Sequence, residues 1–497
     1  MNSRSVVLFL GLTLVAGPQF SVLRAQSPSL QADVATAKEI EFSWAGNPPG
    51  DCSLQRKTGS TPVAWAPVAK SSEGKAADTK ISAEGTYVYR VMCGAKISNE
   101  VTVGPPPAGF HTIMPRPANH PDTALGRFIS PVLDSNGDPA VAFVYNNPSG
   151  DGKGADTQLM FVSWDRATYS WKEPVVVATV GNFDPRPPAP CVSLTRDPQT
   201  DAYGIAWVDG SDMKTVHMAL SHDDGATWSV KTAFANGQTS AGPTLIFSGG
   251  KAYLTLEQDK TMNVIYTSGG IDEDPYQWHG GFAPLLPGNN GVSRASSLAL
   301  DDHGVPAIAY WQKANNGSVW TLTFWRPTGS GAPVKVADNG TSNYPPDGVI
   351  LTFAGEQPRI MLDARIDRTQ ISSHYSVFSS DAGATWSKPL PVPDDGNEHI
   401  GGYMSFAVSK NGSAAFAGDV VGGNTDHMKC SWPKLARSKS LTEWDTCAPQ
   451  GAKYPMIRTT WGTVIYSPGG LLYVLFQNHQ TNPAQGLPAG LLIWAGQ

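Results

Sequence analysis

Beyond residue 109 the chain is a succession of short apolar runs separated by tight polar turns. The clearest unit runs from Arg294 to Tyr310. Its first stretch, Ser296-Ser297-Leu298-Ala299-Leu300, meets the turn Asp301-Asp302-His303-Gly304, and Val305-Pro306-Ala307-Ile308-Ala309-Tyr310 returns from it. Arg127 to Phe143 is its twin, turning at Asn136-Gly137. β-rich runs on either side of a Gly-bearing turn predict an antiparallel strand pair, because Gly accepts the positive φ such a turn needs. Equivalent turns stand at Gly249, Gly355, Gly412 and Gly469, and a longer one near Asp201 lacks Gly. Successive turns lie about 55 residues apart, the length of a four-stranded blade. The pattern predicts an all-β chain in which residues 110–497 form a β-propeller of seven blades, with six as the alternative count. The last unit has Val464-Ile465-Tyr466, Leu471 to Phe476 and Leu491-Leu492-Ile493-Trp494, and lacks a fourth strand. Phe110-His111-Thr112-Ile113-Met114 precedes the first unit and is placed to supply it, which closes the ring and removes both sheet edges.

Residues 26–104 follow a different pattern. Glu39-Ile40-Glu41-Phe42-Ser43-Trp44 alternates as a half-buried strand. Ser53 to Lys57, Gly85-Thr86-Tyr87-Val88-Tyr89-Arg90-Val91 and Ser98 to Val103 are further strands between Asn, Pro and Gly turns. This spacing predicts a small β-sandwich. The early Trp44, the G-T-Y-x-Y-R-V run and its tyrosine corner resemble a fibronectin type III domain. Residues 105–109 form a stiff Pro-rich linker.

Two stretches within the repeat are nearly identical: Ser221-His222-Asp223-Asp224-Gly225-Ala226-Thr227-Trp228 and Ser379-Ser380-Asp381-Ala382-Gly383-Ala384-Thr385-Trp386. Ser, Asp and Thr side chains can bond local backbone, Gly allows positive φ, and Trp leaves the turn as an apolar anchor. Ser163-Trp164-Asp165 before Trp171, and Thr267-Ser268 before Trp278, are degenerate versions. The motif resembles the Asp-box, or BNR repeat, of sialidases and related propellers. That resemblance implies a structural turn on the face away from the ligand.

Composition narrows the function. Charged residues are only 16% of the chain, and 51 Gly, 40 Pro and 15 Trp favour turns and strands over long helices. With a net charge of −6 and no basic run, nucleic acid is excluded as the expected partner. Arg4, the apolar run Val6 to Ala16 and the small residue Ala25 read as a signal peptide over 1–25, too short to span a bilayer. Export to an extracellular or periplasmic compartment follows, and the protein is expected to be a monomer. Of five cysteines, Cys52 with Cys93 and Cys430 with Cys447 are expected to be bonded, leaving Cys191. No C-x-x-C or paired-His spacing suggests a metal, and no cofactor is expected.

Candidate chemistry concentrates where inner strands begin. Arg127 and Arg294 each stand ten residues before a turn Gly, and Arg458 stands eleven before Gly469. Guanidinium groups converging on a channel mouth would bind a carboxylate through paired hydrogen bonds. The resemblance to sialidases implies such a trio of arginines, although Gly126-Arg127-Phe128-Ile129-Ser130-Pro131 stands where the family has F/Y-R-I-P. It also implies Asp151, with Asp156 close behind, as acid/base, and Tyr454 with Glu398 or Glu257 as nucleophile and base. His399, His427 and His479 are an alternative trio for a lyase or a metal. The functions in competition are a sialidase-like glycoside hydrolase acting on acidic sugars of a glycan, a lectin or adhesion propeller without catalysis, and a scaffold.

Overall fold

The computed structural model describes residues 27–46, 50–58, 64–115, 125–146, 157–181, 192–235, 242–258, 263–287, 292–313, 319–328, 331–339, 348–364, 373–392, 400–420, 434–440, 442–444, 459–478 and 489–496. They are almost wholly strand, and fall into two compact units.

The smaller unit comprises residues up to Val34, Ile40–Asp78 and Tyr87–Val101. One sheet orders Ser29–Ala35, Ile40–Ala45 and Lys75–Asp78; the other orders Ala64–Ser71, Cys52–Thr58, Tyr87–Cys93 and Lys96–Ile97, with Val101–Val103 also on Tyr87–Cys93. The alternation noted above buries Ile40, Phe42 and Trp44; Leu54, Tyr89 and Val91 are buried as well, and the Phe42 and Tyr89 ring centroids lie 4.5 Å apart. Cys52 and Cys93 are direct cross-strand partners and form a disulfide. The Tyr89 hydroxyl donates to the buried carboxylate of Asp78 at 2.9 Å, which also accepts from Arg56 at 2.8 Å. The tyrosine is thus pinned to a side chain. Burial, with the Asp78 charge beside it, pushes its pKa well up. Residues 1–26 and Cys191, Cys430 and Cys447 lie outside the described residues.

The larger unit holds seven antiparallel sheets among the described residues. Blade 1 is Leu125–Leu133, Pro139–Asn146 and Thr157–Asp165, with Ser170–Trp171 and Val175–Thr179 both on the third strand. Blade 2 is Val192–Arg196, Tyr203–Val208, Val216–Ser221 and Ser229–Phe234. Blade 3 is Thr244–Ser248, Lys251–Gln258, Asn263–Gly270 and His279–Phe282, and blade 4 is Ser293–Leu300, Pro306–Lys313, Trp320–Trp325 and Val334–Asn339. Blade 5 is Val349–Ala354, Gln357–Ala364, Ser373–Phe378 and Leu390–Pro391, and blade 6 is Ile400–Val408, Ala414–Val420 and Lys434–Ser438. Blade 7 is Thr459–Tyr466, Leu472–Asn478 and Gly490–Gly496. The first strand of each lies against that of the next, and the seventh lies against the first, so the strands form a closed ring. The fourth strand of blade 7 is Gly109–Pro115, with Trp494 opposite Phe110 and Ile493 opposite His111. The expected closure is the observed one.

The chain's own chemistry explains how the blades are held together. An inner strand has one side without a sheet partner, and its N–H groups need acceptors. Hydroxyls on the preceding blade supply them. Ser130 Oγ accepts from Leu194 N at 2.8 Å, Ser193 from Leu245 N at 3.0 Å, Ser297 from Leu351 N at 2.9 Å and Ser405 from Val464 N at 3.0 Å. The two eight-residue turns act at the outside. Asp223 Oδ1 accepts from Thr227 N at 2.9 Å, and Ser221 Oγ from Gly225 N at 3.0 Å; Asp381 and Ser379 repeat this with Thr385 and Gly383 at 2.8 Å each. Gly225 has φ 81° and leaves no room for a Cβ, which would lie 2.0 Å from the Phe161 ring of blade 1. Gly383, φ 99°, meets Phe324 of blade 4 in the same way. Trp228 and Trp386 then stand edge-on to those rings, at 5.1 and 5.2 Å between centroids. Each turn is therefore a clamp on the preceding blade. In blade 1 the degenerate version keeps part of this device, since Asp165 accepts from Ala167 N and the Thr168 hydroxyl, both at 2.9 Å.

One expectation about the turns changes and another gains detail. In blade 7 the residue with positive φ is Gly470, at 90°, not Gly469. Asp201 itself takes the left-handed conformation, φ 58°, in the longer turn. Its short polar side chain tolerates this better than most.

Candidate functional site

Register settles which inner-strand residues are equivalent. Arg127 pairs with Val144, Arg294 with Trp311, and Thr460 with Gln477. Each left-hand member stands ten residues before a positive-φ Gly: Gly137, Gly304 and Gly470. The third equivalent of the two arginines is therefore Thr460. Arg458, two residues earlier in the chain, lies outside the described residues. Blades 1 and 4 are separated by two blades on one side of the ring and three on the other, so the two arginine positions stand across the channel mouth.

Both arginines precede a bulge. Phe128 has φ 52° and Ala295 φ 46°, and the pairing register shifts between Arg127 and Ser130 and between Arg294 and Ser296. A non-glycine residue in this region is strained and persists only where its surroundings hold it. A bulge also re-aims the neighbouring side chain. At Ala295 the restraint is visible: its N–H donates to Glu257 Oε2 at 3.2 Å. Glu257 reaches across from the second strand of blade 3 and is 5% exposed.

Arg294 is partly buried, and its Nε is buried without a hydrogen-bond partner among the described residues. Direct cross-strand partners share one side of a sheet, so Arg294 stands on the side of Trp311. That indole is fully buried and its Nε1 donates to the Gly348 carbonyl of blade 5 at 3.3 Å. The rim beneath is built on buried polar side chains. Six residues beyond the first paired residue of the second strand stand Glu257, Gln312, Asp363 and Asn478, in blades 3, 4, 5 and 7, and all four are buried. Gln312 Oε1 accepts from Leu286 N at 2.9 Å, and its Nε2 donates to the Thr323 hydroxyl.

Of the residues expected to act here, the structure brings Glu257 to the backbone beside Arg294 and puts Arg127 at the equivalent point of blade 1. Asp151, Asp156, Glu398, Tyr454, Arg458, His399, His427 and His479 lie outside the described residues.

Two further clusters occur elsewhere on the larger unit. At the hairpin turns of blades 4 and 5, at the other end of the strands, His303 Nε2 lies 2.6 Å from Glu356 Oε1 and 3.8 Å from Asp302 Oδ1, all exposed. The bond to Glu356 raises the His303 pKa. Between the outer edges of blades 2 and 3, Lys231, Thr232, Asp274 and Tyr276 line an open groove of ≈ 580 Å³. Lys231 Nζ donates there to the carbonyls of Asp272 and Glu273 at 3.1 and 3.3 Å, and Tyr276 is 60% exposed. No helix among the described residues is long and apolar enough to cross a membrane.

No known protein family and no curated protein matches the chain. Solved structures do resemble it. A Hadza microbial sialidase is 10% identical, with 94% of this chain and 95% of that one covered and a TM-score of 0.40. The α-L-arabinanase of Penicillium chrysogenum is 12% identical, covers 79% of this chain and 99% of its own, and has a TM-score of 0.43. The lectin of Aleuria aurantia is 12% identical over 58% and 87%, with a TM-score of 0.36. Hydrolases and a lectin both occur among them, so they single out no reaction.

Proposed function

We propose that the protein is an exported sialidase-like glycoside hydrolase that takes an acidic, carboxylated sugar at the mouth of the ring where the inner strands begin. One observation carries this reading. Arg294 presents a buried Nε without a partner among the described residues, at a bulged position that Arg127 shares in blade 1. A buried guanidinium N–H without an acceptor is expensive, and a planar carboxylate is the ligand the arginine donor fork fits. Arg127 and Arg294 would grip the carboxylate from two blades, and Arg458, which lies outside the described residues, would join them. Asp151 would protonate the departing glycosidic oxygen, with Tyr454 as nucleophile and Glu398 as its base. Glu257, the other carboxylate considered for the base, accepts from Ala295 N–H through Oε2, which favours Glu398 for that role.

A fluorogenic sialoside and a panel of uronic-acid glycosides test this with purified protein. Arg294→Ala is expected to weaken binding roughly ten- to a hundred-fold, from about 1.5–3 kcal/mol per charged hydrogen bond. Asp151→Asn is expected to lower kcat while sparing KM, because a carboxamide keeps the shape but donates no catalytic proton. Normal affinity for acidic sugars in Arg294→Ala would remove the arginine part, and full turnover in Asp151→Asn would move the acid to another loop. The engagement of Glu257 with backbone favours a second reading, a lectin that binds the same sugar without cleaving it. Binding without turnover in the wild-type protein decides for it.

A further inference from the structure

We infer that Glu257 is a positioning residue for Arg294, holding the bulge that aims the guanidinium into the ring mouth; this rests on the proposed role of Arg294 in binding. Ala295 sits at φ 46°, a conformation that alanine does not choose by itself. Its own side chain is a buried methyl and offers nothing to hold it there. The restraint that crosses from another strand is the Glu257 carboxylate, 3.2 Å from the Ala295 nitrogen and itself buried. A bond from an N–H to a buried carboxylate is stronger than one to a neutral acceptor. Removing it would release the strained residue, return the strand to even pairing with its neighbour, and swing Arg294 toward the opposite side of the sheet. A one-residue slip does this because side chains alternate.

The placement is systematic. Glu257 occupies the second-strand position that Gln312, Asp363 and Asn478 occupy in other blades. Asn478 belongs to blade 7, the blade that precedes Arg127 and its bulge at Phe128, as blade 3 precedes Arg294. The ring thus sets a buried polar residue one blade ahead of each bulged arginine.

The test compares Glu257→Ala, Glu257→Gln and the double variant Glu257→Ala with Ala295→Gly, in the full-length protein. Hydrogen exchange of the peptide around residues 293–300 reads the bulge, and binding of the acidic sugar reads Arg294. Glu257→Ala is expected to speed exchange at Ala295 and to weaken binding roughly tenfold, chiefly in KM. Glu257→Gln keeps an acceptor oxygen and should retain exchange protection and most of the affinity. Ala295→Gly should restore binding to Glu257→Ala, because Gly adopts positive φ without the restraint. Unchanged exchange and affinity in Glu257→Ala would overturn the proposal. So would a folded Glu257→Gln protein with normal exchange and binding but no turnover, which would make Glu257 catalytic. If Glu257→Ala does not fold, the double variant decides: a folded protein that binds the acidic sugar supports the proposal, and one that folds without regaining binding overturns it. If Arg294→Ala binds normally, the binding site is misplaced, and the exchange data still judge the link between Glu257 and the bulge.

Discussion

Asp223 and Asp381 carry the same burden in two turns, and their titration follows from it. The Thr227 hydroxyl, and then its amide, hold the Asp223 carboxyl down at about 2; Thr385 does the same for Asp381. A depressed folded-state pKa contributes stability that is present above the ordinary carboxylate value and is lost as pH falls through about 2. Asp138 behaves oppositely. It is buried beside Arg166, whose Nε and Nη2 donate to it at 2.7 and 2.8 Å. Burial nevertheless outweighs the pair and lifts its pKa to about 6. A raised carboxyl pKa contributes stability that is full below the ordinary value near 4 and is lost as pH rises through about 6. Wild type should therefore gain on Asp138→Asn as pH is lowered from 7 to 4, and lose ground to Asp223→Asn as pH falls from 4 toward 2. Denaturant midpoints of the three proteins across that range check both signs; parallel profiles would show that neither group is linked to folding.

At the scale of elements, what could be read from the chain was what local chemistry dictates. The S-x-D-x-G-A-T-W turns are specified by their own side chains, so eight residues suffice to predict them. What escaped is imposed from outside the element. Phe and Ala have no preference for the left-handed region, so nothing at Phe128 or Ala295 announces a bulge; it is legible only once Glu257 is seen across the blade boundary. Arg458 stands eleven residues before Gly469, one off the spacing of Arg127 and Arg294, and its register could not be fixed from the sequence; pairing and the positive φ of Gly470 show that Thr460 holds the position equivalent to theirs. Nor does the sequence say that Gly225 faces an aromatic ring. Gly225→Ala is expected to cost about 1–3 kcal/mol of overpacking against Phe161, added to the strain of φ 81°. Gly412→Ala is the control, since φ is 86° there but nothing lies within 4 Å of the added methyl. Thermal midpoints at one scan rate should fall clearly further for Gly225→Ala. Equal losses would mean that the turn, and not its grip on the preceding blade, sets the cost.

The whole ring depends on a strand borrowed from far along the chain. Gly490–Gly496 buries Leu491, Leu492 and Ile493 almost completely, and its outer edge is covered by Gly109–Pro115, with Ile113 buried in the core shared by blades 7 and 1. An uncovered edge of this apolar character would leave N–H and C=O groups free to pair with another molecule. Closure by a non-local strand is also slow to form, because chain entropy is lost before the contacts are gained. This strand is therefore expected to be the last piece to lock. Cutting the chain after Pro115, so that the strand is lost while blades 1 to 7 remain, should lower the thermal midpoint and drive concentration-dependent association. A synthetic peptide spanning residues 107–116, added in excess, should reverse both by occupying the vacant edge, in the manner of strand addition. Sedimentation and melting with and without the peptide read this directly. A truncated protein that stays monomeric and melts as the full chain does would show that the ring holds without its borrowed strand, and the closure would then be a covering contact only.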